Sequence, residues 1–168
     1  KILIVIPSLE PDEKLVELTG ELKREGFSHI LIVNDGSGPA YDDIFARAVA
    51  EGDCRLLTHS VNQGKGRAMK TAFNEFLLHP DGCEGVVTVD SDGQHRPADI
   101  RKCCEALLAH PDSLILGSRN FDEKGVPLKS SFGNKLTRKI FGFLSGIHIR
   151  DTQTGLRGFS PALVRRFL

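Results

Sequence analysis

Two aspartates that stand one residue apart, Asp90 and Asp92, are the side chains of this sequence best placed to do chemistry. They directly follow residues 86–89, a short β-branched run after Gly85 that predicts a buried strand. A carboxylate at the mouth of an apolar strand must be paired, hydrogen-bonded or bound to a metal. Because side chains two residues apart in an extended segment point the same way, both carboxylates would face one divalent cation. A plain turn is the alternative, since Asp-Gly is common in turns.

Gln94 and His95 follow this pair and would extend the cluster in different ways. Gln94 offers a neutral oxygen, which would either bind the same cation or orient its neighbours. A single histidine beside a turn is more typical of a hydrogen-bonding residue than of a metal ligand. We therefore count Asp90, Asp92 and Gln94 as the candidate ligands and leave His95 out.

A second polar cluster follows the apolar run at residues 30–33, where Asp35 and Gly36 open a turn. The Asp35 carboxylate can accept hydrogen bonds from a nucleobase or a ribose. Gly36 would let the backbone approach another group closely. The alternative is an Asx-turn, in which Asp35 bonds only the neighbouring backbone.

A third cluster begins at Asn62 and places Gly64, Lys65 and Arg67 at the start of a predicted helix. Free backbone N–H groups, the positive end of the helix dipole and two cationic side chains together suit a phosphate group. The alternative is a solvated basic helix start that binds nothing.

Each cluster follows a predicted strand, and the strands alternate with helical patterns. The predicted strands are residues 2–6, 30–33, 54–58, 86–89 and 113–116, and helical spacing of apolar residues recurs within 15–22, 44–49, 69–76 and 100–108. This alternation predicts an α/β fold in a single domain, with a Rossmann-like, mostly parallel sheet flanked by helices. Ligands of such sheets bind beyond the carboxyl ends of the strands. The clusters, with Arg119 after the fifth strand, should therefore form one site.

The sequence changes character after Arg119. Residues 121–128 are polar and rich in glycine and proline, which predicts a loop. From Phe132 to Ile147 the apolar spacing predicts an amphipathic helix that packs on the sheet, with contact to a membrane surface as the alternative. The only methionine is Met69, so the chain lacks an initiator, and we expect a fragment of a longer protein.

Composition narrows the class of protein. The 168 residues are enough for one domain with a real core. The 22 basic and 22 acidic residues cancel, so no overall field favours nucleic acid, and we expect no nucleic-acid partner. The four cysteines form no C-x-x-C pair, which favours buried thiols in a reducing compartment. The first apolar run, residues 2–6, is too short for a signal peptide or a membrane span.

Three well-known nucleotide or metal motifs are not matched. The Walker pattern fails because Gly64-Lys65 is followed by Gly66 and Arg67, so the hydroxyl residue that would bind Mg²⁺ is missing. The first strand leads into Pro7 rather than into the glycine-rich turn of dinucleotide-binding proteins. The calcium-loop pattern fails after Asp92.

Several segments, taken in order over the whole chain, resemble glycosyltransferase family 2, which has the A-type nucleotide-sugar transferase fold. Within the family, the sequence is most similar to polyprenyl-phosphate sugar transferases of the dolichol-phosphate mannose or glucose synthase kind, where Asp-x-Asp-x-Gln-His recurs. One departure is that Glu10-Pro11-Asp12-Glu13 replaces the usual Asn-Glu after the opening turn. The matching segments are Val5-Ile6-Pro7-Ser8, Val33-Asn34-Asp35-Gly36-Ser37, Asn62-Gln63-Gly64-Lys65-Gly66-Arg67-Ala68, Asp90-Ser91-Asp92, Gly117-Ser118-Arg119, Gly133-Asn134 and Asp151-Thr152-Gln153-Thr154-Gly155-Leu156-Arg157.

The resemblance implies a role for each motif. Residues 1–95 would be the nucleotide-binding half of the catalytic domain and residues 96–168 the acceptor half. Mg²⁺ or Mn²⁺ on Asp90, Asp92 and Gln94 would hold the diphosphate of a nucleoside-diphosphate sugar, with UDP favoured over GDP. The implied nucleotide-binding residues are Pro7, Asp35, Gly36, Asn62, Gly64, Lys65, Asp90 and Ser91.

The acceptor implied by the resemblance is a lipid phosphate, held by Arg119 and Lys129, although the subgroup often has arginine where Lys129 stands. The implied catalytic residues are Asp92, Arg119 and Asp151, and the sugar would move by inverting displacement. Asp151 would be a general base for a hydroxyl acceptor, or only a turn cap. The full-length protein would be cytoplasmic, at the inner face of the membrane, bound through residues 132–147 or a missing C-terminal segment.

Two other functions stay open. The motif Val89-Asp90-Ser91-Asp92-Gly93 also resembles the nucleophile motif of haloacid-dehalogenase-type phosphatases, although that motif belongs on a first strand and this one on a fourth. A non-catalytic nucleotide-sugar binding module is the second alternative, and retention of both aspartates argues against it.

Overall fold

The computed structural model describes residues 1–117 and 155–168, and within them strands and helices alternate as the sequence predicts. The strands are β1 (Leu3–Ser8), β2 (Ile30–Asn34), β3 (Arg55–Thr58), β4 (Val86–Thr88), β5 (Ile115–Leu116) and β6 (Arg157–Phe159). The helices are α1 (Glu13–Arg24), α2 (Asp42–Gly52), α3 (Lys65–Leu78), α4 (Pro97–Ala109) and α5 (Pro161–Phe167), with a short 3₁₀ turn at Pro39–Tyr41.

The six strands form one sheet in the order β3-β2-β1-β4-β6-β5. β1 pairs in parallel with β2 and β4, and β2 pairs in parallel with β3. The register aligns Ser8 with Asn34 and Asn34 with Thr58, so β1, β2 and β3 end at one edge of the sheet. The Rossmann-like, mostly parallel sheet predicted from the sequence is confirmed.

One strand was not predicted. β6 lies antiparallel between β4 and β5. Since β5 is antiparallel to β6, it runs in the same direction as β4 and also ends at the site edge. The three residues of β6, Arg157-Gly158-Phe159, are too few to show alternation, and glycine is depleted in strands.

Each predicted strand differs from the observed one by one or two residues at an end. β4 ends at Thr88 rather than Val89, although the Val89 N–H still donates to the Val5 carbonyl at 2.9 Å. β5 has only two residues, because Ser113 belongs to the turn after α4, where its N–H donates to the His110 carbonyl.

The helices bury apolar side chains on both faces of the sheet. β1 is buried along its whole length, and its alternate side chains enter different cores. Ile4 and Ile6 pack in the core that includes residues of α1, α2 and α4. Leu3 and Val5 pack in the core of α3 and α5, where the Phe73 and Phe159 rings meet edge-on at 5.0 Å.

The four cysteines are buried free thiols, as predicted. Burial raises the pKa of Cys54 and of Cys103 to about 12, so both thiols stay protonated near neutral pH. None of the helices within the described ranges is long and apolar enough to cross a bilayer. The loop predicted at 121–128 and the helix predicted at 132–147 lie outside the described residues.

Candidate active site

A cleft of about 380 Å³ opens where β1, β2 and β4 end and α3 begins. This is the edge at which open parallel sheets bind ligands. The cleft collects seven of the eight residues predicted to bind a nucleotide, together with Asp92; Gly36 and Gln94 are not part of its lining. The lining residues are Pro7, Ser8, Leu9, Asp35, Asn62, Gly64, Lys65, Asp90, Ser91 and Asp92.

Asp90 lies two residues beyond β4 and is held between two basic groups. The Lys65 ammonium donates to Oδ1, and His95 Nε2 lies 3.7 Å from Oδ2. His95 and, after it, Lys65 lower the pKa of Asp90 to about 2, against the opposing effect of burial. Asp90 is therefore a carboxylate at neutral pH, and Lys65 shows that a cation fits against it. His95 is buried beside a carboxylate, which agrees with a hydrogen-bonding role.

Gly155 lies beside Asp90 at a place where only glycine fits. A Cβ on Gly155 would stand 1.9 Å from Asp90 Oδ2 and 2.1 Å from its Cγ, closer than any real contact. The Gly155 carbonyl accepts a hydrogen bond from Thr88 Oγ1 at 2.8 Å. Gly155 thus lies directly against the Asp90 carboxylate, two residues beyond β4. The sequence showed this glycine only as part of a motif, without a place in the site.

Asp92 reaches the cleft through a turn. Residues 91 and 92 are no longer extended, and Gly93 has a φ of +71°. Asp92 Oδ1 accepts a hydrogen bond from the Gln94 N–H at 3.1 Å. The prediction that both carboxylates point the same way assumed an extended segment that reaches Asp92. The strand instead ends at Thr88. The turn brings both carboxylates to the same cleft instead.

Asp35 is buried at the opposite wall of the cleft, where it is only 3% exposed. Its Oδ1 accepts hydrogen bonds from the Gln63 N–H at 3.0 Å and from His59 Nδ1 at 2.7 Å. Burial raises the pKa of Asp35, but these hydrogen bonds, together with the nearby Gly64 N–H, outweigh burial and hold the pKa below its ordinary value. His59 in turn contacts Thr71 Oγ1 through Nε2 at 2.9 Å. Neither His59 nor Thr71 was predicted, because a lone histidine after a weak strand carries no signal of its own.

The turn after β2 is closed against the loop after β3. Asn34 Oδ1 accepts from the Ser37 N–H at 2.8 Å. Gly36 has a φ of +77°, and a Cβ there would stand 2.1 Å from the Val61 carbonyl carbon. The close backbone approach expected of Gly36 is therefore present, and the partner is protein backbone.

The start of α3 has the features of an anion site. Gly64 has a φ of +88° and precedes the helix, and no side chain caps the first turn. Asn62 Oδ1 accepts from the Gly64 N–H at 2.9 Å, so Asn62 shapes this turn. A Cβ on Gly66 would meet nothing within 4 Å, which leaves open space beside the helix start. The Arg67 N–H already donates to the Gly64 carbonyl at 2.9 Å, so the N–H groups of Lys65 and Gly66, together with the helix dipole, would favour a phosphate here.

Ser8 adds a polar group that the sequence did not reveal. Its hydroxyl is buried at the end of β1, lines the cleft, and has no hydrogen-bond partner among the described residues. Buried polar groups are normally satisfied. An unsatisfied hydroxyl in a ligand cleft is one that a ligand can pair.

The donor set fits a hard divalent cation only in part. No cluster of three or more His, Cys, Asp or Glu side chains in the described residues could hold a metal. Asp90 and Asp92 supply two carboxylates, and Mg²⁺ is commonly held by one or two carboxylates plus substrate phosphates. The residues therefore suit Mg²⁺ or Mn²⁺ together with a bound diphosphate. Arg119, Lys129 and Asp151 lie outside the described residues.

Comparison with known proteins identifies related chains. The family model for Glycosyl transferase family 2 matches residues 4–168. An uncharacterised protein of Methanocaldococcus jannaschii is 32% identical over 173 residues, covering the whole chain and 68% of its own length. The UDP-N-acetylglucosamine–dolichyl-phosphate N-acetylglucosaminyltransferase of Methanococcus voltae is 28% identical, over 98% of this chain and 71% of its own. The polyprenol monophosphomannose synthase of Mycolicibacterium smegmatis is 29% identical, over 98% of this chain and 63% of the relative's own length.

Among solved structures, glucosyl-3-phosphoglycerate synthase from Mycobacterium tuberculosis, in complex with Mn²⁺, UDP and phosphoglyceric acid, has the same fold. The TM-score is 0.72 at 20% identity, over 96% of this chain and 56% of that one. The chain thus spans little more than half of that structure. With the family model matching nearly every residue, the chain belongs to glycosyltransferase family 2.

Proposed function

We propose that this chain is the catalytic domain of a metal-dependent glycosyltransferase that transfers a sugar from a nucleoside-diphosphate sugar to a polyprenyl phosphate, with inversion. The observation that carries the proposal is the cleft itself. Two aspartates, Asp90 and Asp92, face it from one strand end, while Asp35 and the start of α3 face it from the others. These are the groups that a divalent cation, a nucleoside and a diphosphate require.

The nucleoside would lie at Asp35. A carboxylate only accepts hydrogen bonds, and uracil and guanine both present ring N–H donors. The Methanococcus voltae relative is named for a UDP-sugar, and the solved structure holds UDP. These names favour UDP over GDP as the donor nucleotide. Ser8 would pair its hydroxyl with the same nucleoside.

The diphosphate would lie between α3 and Asp90. The uncapped first turn of α3 offers N–H groups, and Lys65 is close enough to bond Asp90. Mg²⁺ or Mn²⁺ held by Asp90 and Asp92, with Gln94 as the third ligand proposed from the sequence, would supply Lewis-acid stabilisation of the leaving diphosphate. Lys65 would donate to the phosphate oxygens, which become more negative as the bond to the sugar breaks.

The acceptor would need no general base. A lipid phosphate is already ionised near neutral pH, so its oxygen can attack the anomeric carbon directly as the nucleoside diphosphate leaves. Arg119 and Lys129 are proposed to hold that phosphate, and Asp151 to position a cation or a loop rather than to remove a proton. Two relatives named for dolichyl-phosphate or polyprenol transfer favour this acceptor. Attachment of the full-length protein to the inner face of the membrane follows from the same proposal.

Calorimetric titration of the purified protein with UDP, with and without Mn²⁺, tests the donor site. We expect Mn²⁺ to tighten UDP binding at least tenfold, and Asp90→Asn or Asp92→Asn to remove this gain. Asp112→Asn, at an exposed turn outside the cleft, is the matched control and should keep it. UDP binding that is indifferent to Mn²⁺ and to both substitutions would contradict the proposal and favour a non-catalytic binding module.

Transfer to lipid tests the acceptor. The protein is incubated with a radiolabelled UDP-sugar, Mn²⁺ and a short-chain polyprenyl phosphate, and the label that enters the organic phase is counted. We expect extraction of the label to depend on the lipid phosphate and to be lost in Asp92→Asn. Binding of UDP with Mn²⁺ but no labelled lipid from any common UDP-sugar or GDP-mannose would overturn the polyprenyl-phosphate acceptor and leave the nucleotide site standing.

A further inference from the structure

A buried hydrogen-bonded chain lies behind the carboxylate that faces the proposed nucleoside. It runs from Asp35 through the His59 ring to Thr71 on α3, with contacts of 2.7 Å and 2.9 Å. The side chains of Asp35 and His59 are only 4% and 9% exposed. Resting on the proposed nucleotide site, we propose that His59 is a positioning residue that fixes which oxygen of Asp35 meets the nucleobase and thereby sets the base preference.

The geometry divides the two oxygens of Asp35. His59 Nδ1 and the Gln63 N–H both reach Oδ1. A carboxylate oxygen has about two lone-pair sites, so these two donors saturate Oδ1. The nearby Gly64 N–H donates to Asn62 Oδ1, and Oδ2 accepts no hydrogen bond of ordinary geometry from the described residues, so Oδ2 is the oxygen left to accept an N–H from a ligand in the cleft that Asp35 lines.

The position of the His59 ring is itself fixed from two sides. Its backbone N–H donates to the Asn34 carbonyl at 2.9 Å, which ties His59 to the residue before Asp35. Thr71 Oγ1 meets Nε2 at the other edge of the ring. Because Asp35 only accepts hydrogen bonds when ionised, the short contact places a proton on His59 Nδ1.

A carboxylate held in this way discriminates among bases by chemistry. The N3 position of uracil and the N1 position of guanine are donors, whereas N3 of cytosine is an acceptor that would face Oδ2 without a proton. A fixed Oδ2 should therefore prefer UDP to CDP. A carboxylate free to rotate could turn away from cytosine, and the preference would fall.

Two histidine replacements of similar polarity separate positioning from general stability. Asn in His59→Asn places its amide N–H near the position of Nδ1 and can still donate to Asp35. Gln in His59→Gln places its amide nearer to Nε2, where it meets Thr71 instead. Thr71→Val keeps the histidine and removes only its outer partner. His79→Gln, at the exposed end of α3, is the control.

The experiment measures Kd for UDP and CDP in saturating Mn²⁺, and thermal unfolding of every variant. Hydrogen bonds to charged groups correspond to about 10- to 100-fold in affinity. We expect His59→Gln to weaken UDP binding by about that factor while CDP binding changes little, so that the UDP-to-CDP preference collapses. His59→Asn should stay within about threefold of the unaltered protein, and Thr71→Val should lose about threefold to tenfold of the preference.

The outcomes separate this inference from the proposed function. If the unaltered protein binds no UDP, the proposed function itself fails. If it prefers UDP and His59→Gln keeps that preference, the inference is overturned and the nucleotide site stands. An equal loss of UDP and CDP affinity, in step with a lower unfolding temperature, would make His59 merely structural and also overturn it. Should His59→Gln not fold, an unchanged preference in Thr71→Val overturns the inference, and a lowered one supports it.

Discussion

Asp35 and Asp90 line the same cleft as ionised carboxylates, yet they are held in opposite ways. Asp35 is almost fully buried, and a ring nitrogen and a backbone amide fix its Oδ1. Asp90 is 28% exposed, and its Oδ1 accepts from the ammonium of Lys65, a side chain that is itself 55% exposed, while the buried ring of His95 lies 3.7 Å from Oδ2. The cleft therefore has a fixed end and an exchangeable end.

This difference matches the ligands proposed for each end. A buried hydrogen-bonded network holds one geometry, which suits the recognition of a neutral base by its donor pattern. A half-exposed ion pair adds little stability and breaks readily, which suits a position where a metal and a diphosphate must enter. Each substitution below acts mainly on one end, and together they test whether the two ends are independent.

Gly36→Ala should break the fixed end with the largest effect. Gly36 has a φ of +77° and no room for a Cβ. Backbone atoms of Val61 and Asn62 lie 2.1 to 2.6 Å from the position that a Cβ would take. A left-handed conformation costs about 1–2 kcal/mol and overpacking about 1–3 kcal/mol. We therefore expect a loss of about 3 kcal/mol in the free energy of unfolding, measured by urea denaturation.

Gly38→Ala is the matched control for this substitution, two residues along the same loop. Gly38 has an ordinary φ of −69°, and a Cβ there would meet nothing within 4 Å. Its effect should stay within about 0.5 kcal/mol, as for other surface changes. Equal losses for the two glycines would show that the loop tolerates movement and that Asp35 is not fixed.

Gly155→Ala should break the exchangeable end while sparing the fixed one. The new methyl group would displace the Asp90 carboxylate, whose Oδ2 stands 1.9 Å from that position. We expect the gain in UDP affinity from Mn²⁺ to fall by about tenfold or more, which is about 1.4 kcal/mol. UDP affinity without metal should change by less than about threefold, because Asp35 is untouched.

Gly158 lies on β6, three residues after Gly155, and Gly158→Ala serves as the comparison for Gly155→Ala. A Cβ there would stand 3.1 Å from Ile115 Cβ and 3.5 Å from Cys103 Sγ, and no Asp90 atom is among its three nearest neighbours. It should keep the response to Mn²⁺ even if stability falls slightly. Loss of that response in both variants would mean that β6 as a whole, rather than contact with Asp90, supports the metal site.

At both ends of the cleft, the sequence predicted the strand ends and their polar clusters but not the contacts between distant segments. The strand ends and their polar clusters follow from local patterns, because apolar runs and turn residues act within a few positions. The contact of Gly155 with Asp90 spans 65 positions and depends on β6, a strand too short to show a pattern. The pairing of His59 with Asp35 likewise needed the register of β2 and β3, which no single segment specifies.

Lys65→Met should sharpen the contrast by having opposite effects on two ligands. Without nucleotide, Mn²⁺ should bind about threefold more tightly, because Lys65 no longer competes for Asp90 and such ion pairs contribute up to about 1 kcal/mol. With Mn²⁺ present, UDP should bind about tenfold more weakly, since a charged donor to the diphosphate is lost. Free Mn²⁺ is followed by electron paramagnetic resonance and UDP by calorimetry.

Lys102→Met, on the exposed face of α4, controls for the loss of one positive charge. It should move neither affinity by more than about twofold. Weaker binding of both Mn²⁺ and UDP in Lys65→Met would contradict the exchange of partners at Asp90. It would place Lys65 among the groups that only shape the cleft.

Ser8→Ala is the mildest substitution and tests whether the fixed end is complete without a ligand. The Ser8 hydroxyl is 3% exposed and lacks a partner among the described residues. Removing an unsatisfied buried hydroxyl relieves a desolvation cost, so the free energy of unfolding should stay level or rise by up to about 1 kcal/mol. UDP affinity should instead fall by about threefold to tenfold, the effect of one ordinary hydrogen bond.

Ser113→Ala, in the exposed turn after α4, should change neither quantity. A variant that is less stable but binds UDP unchanged would mean that the hydroxyl serves the fold, whereas the opposite signs predicted here would assign it to the ligand.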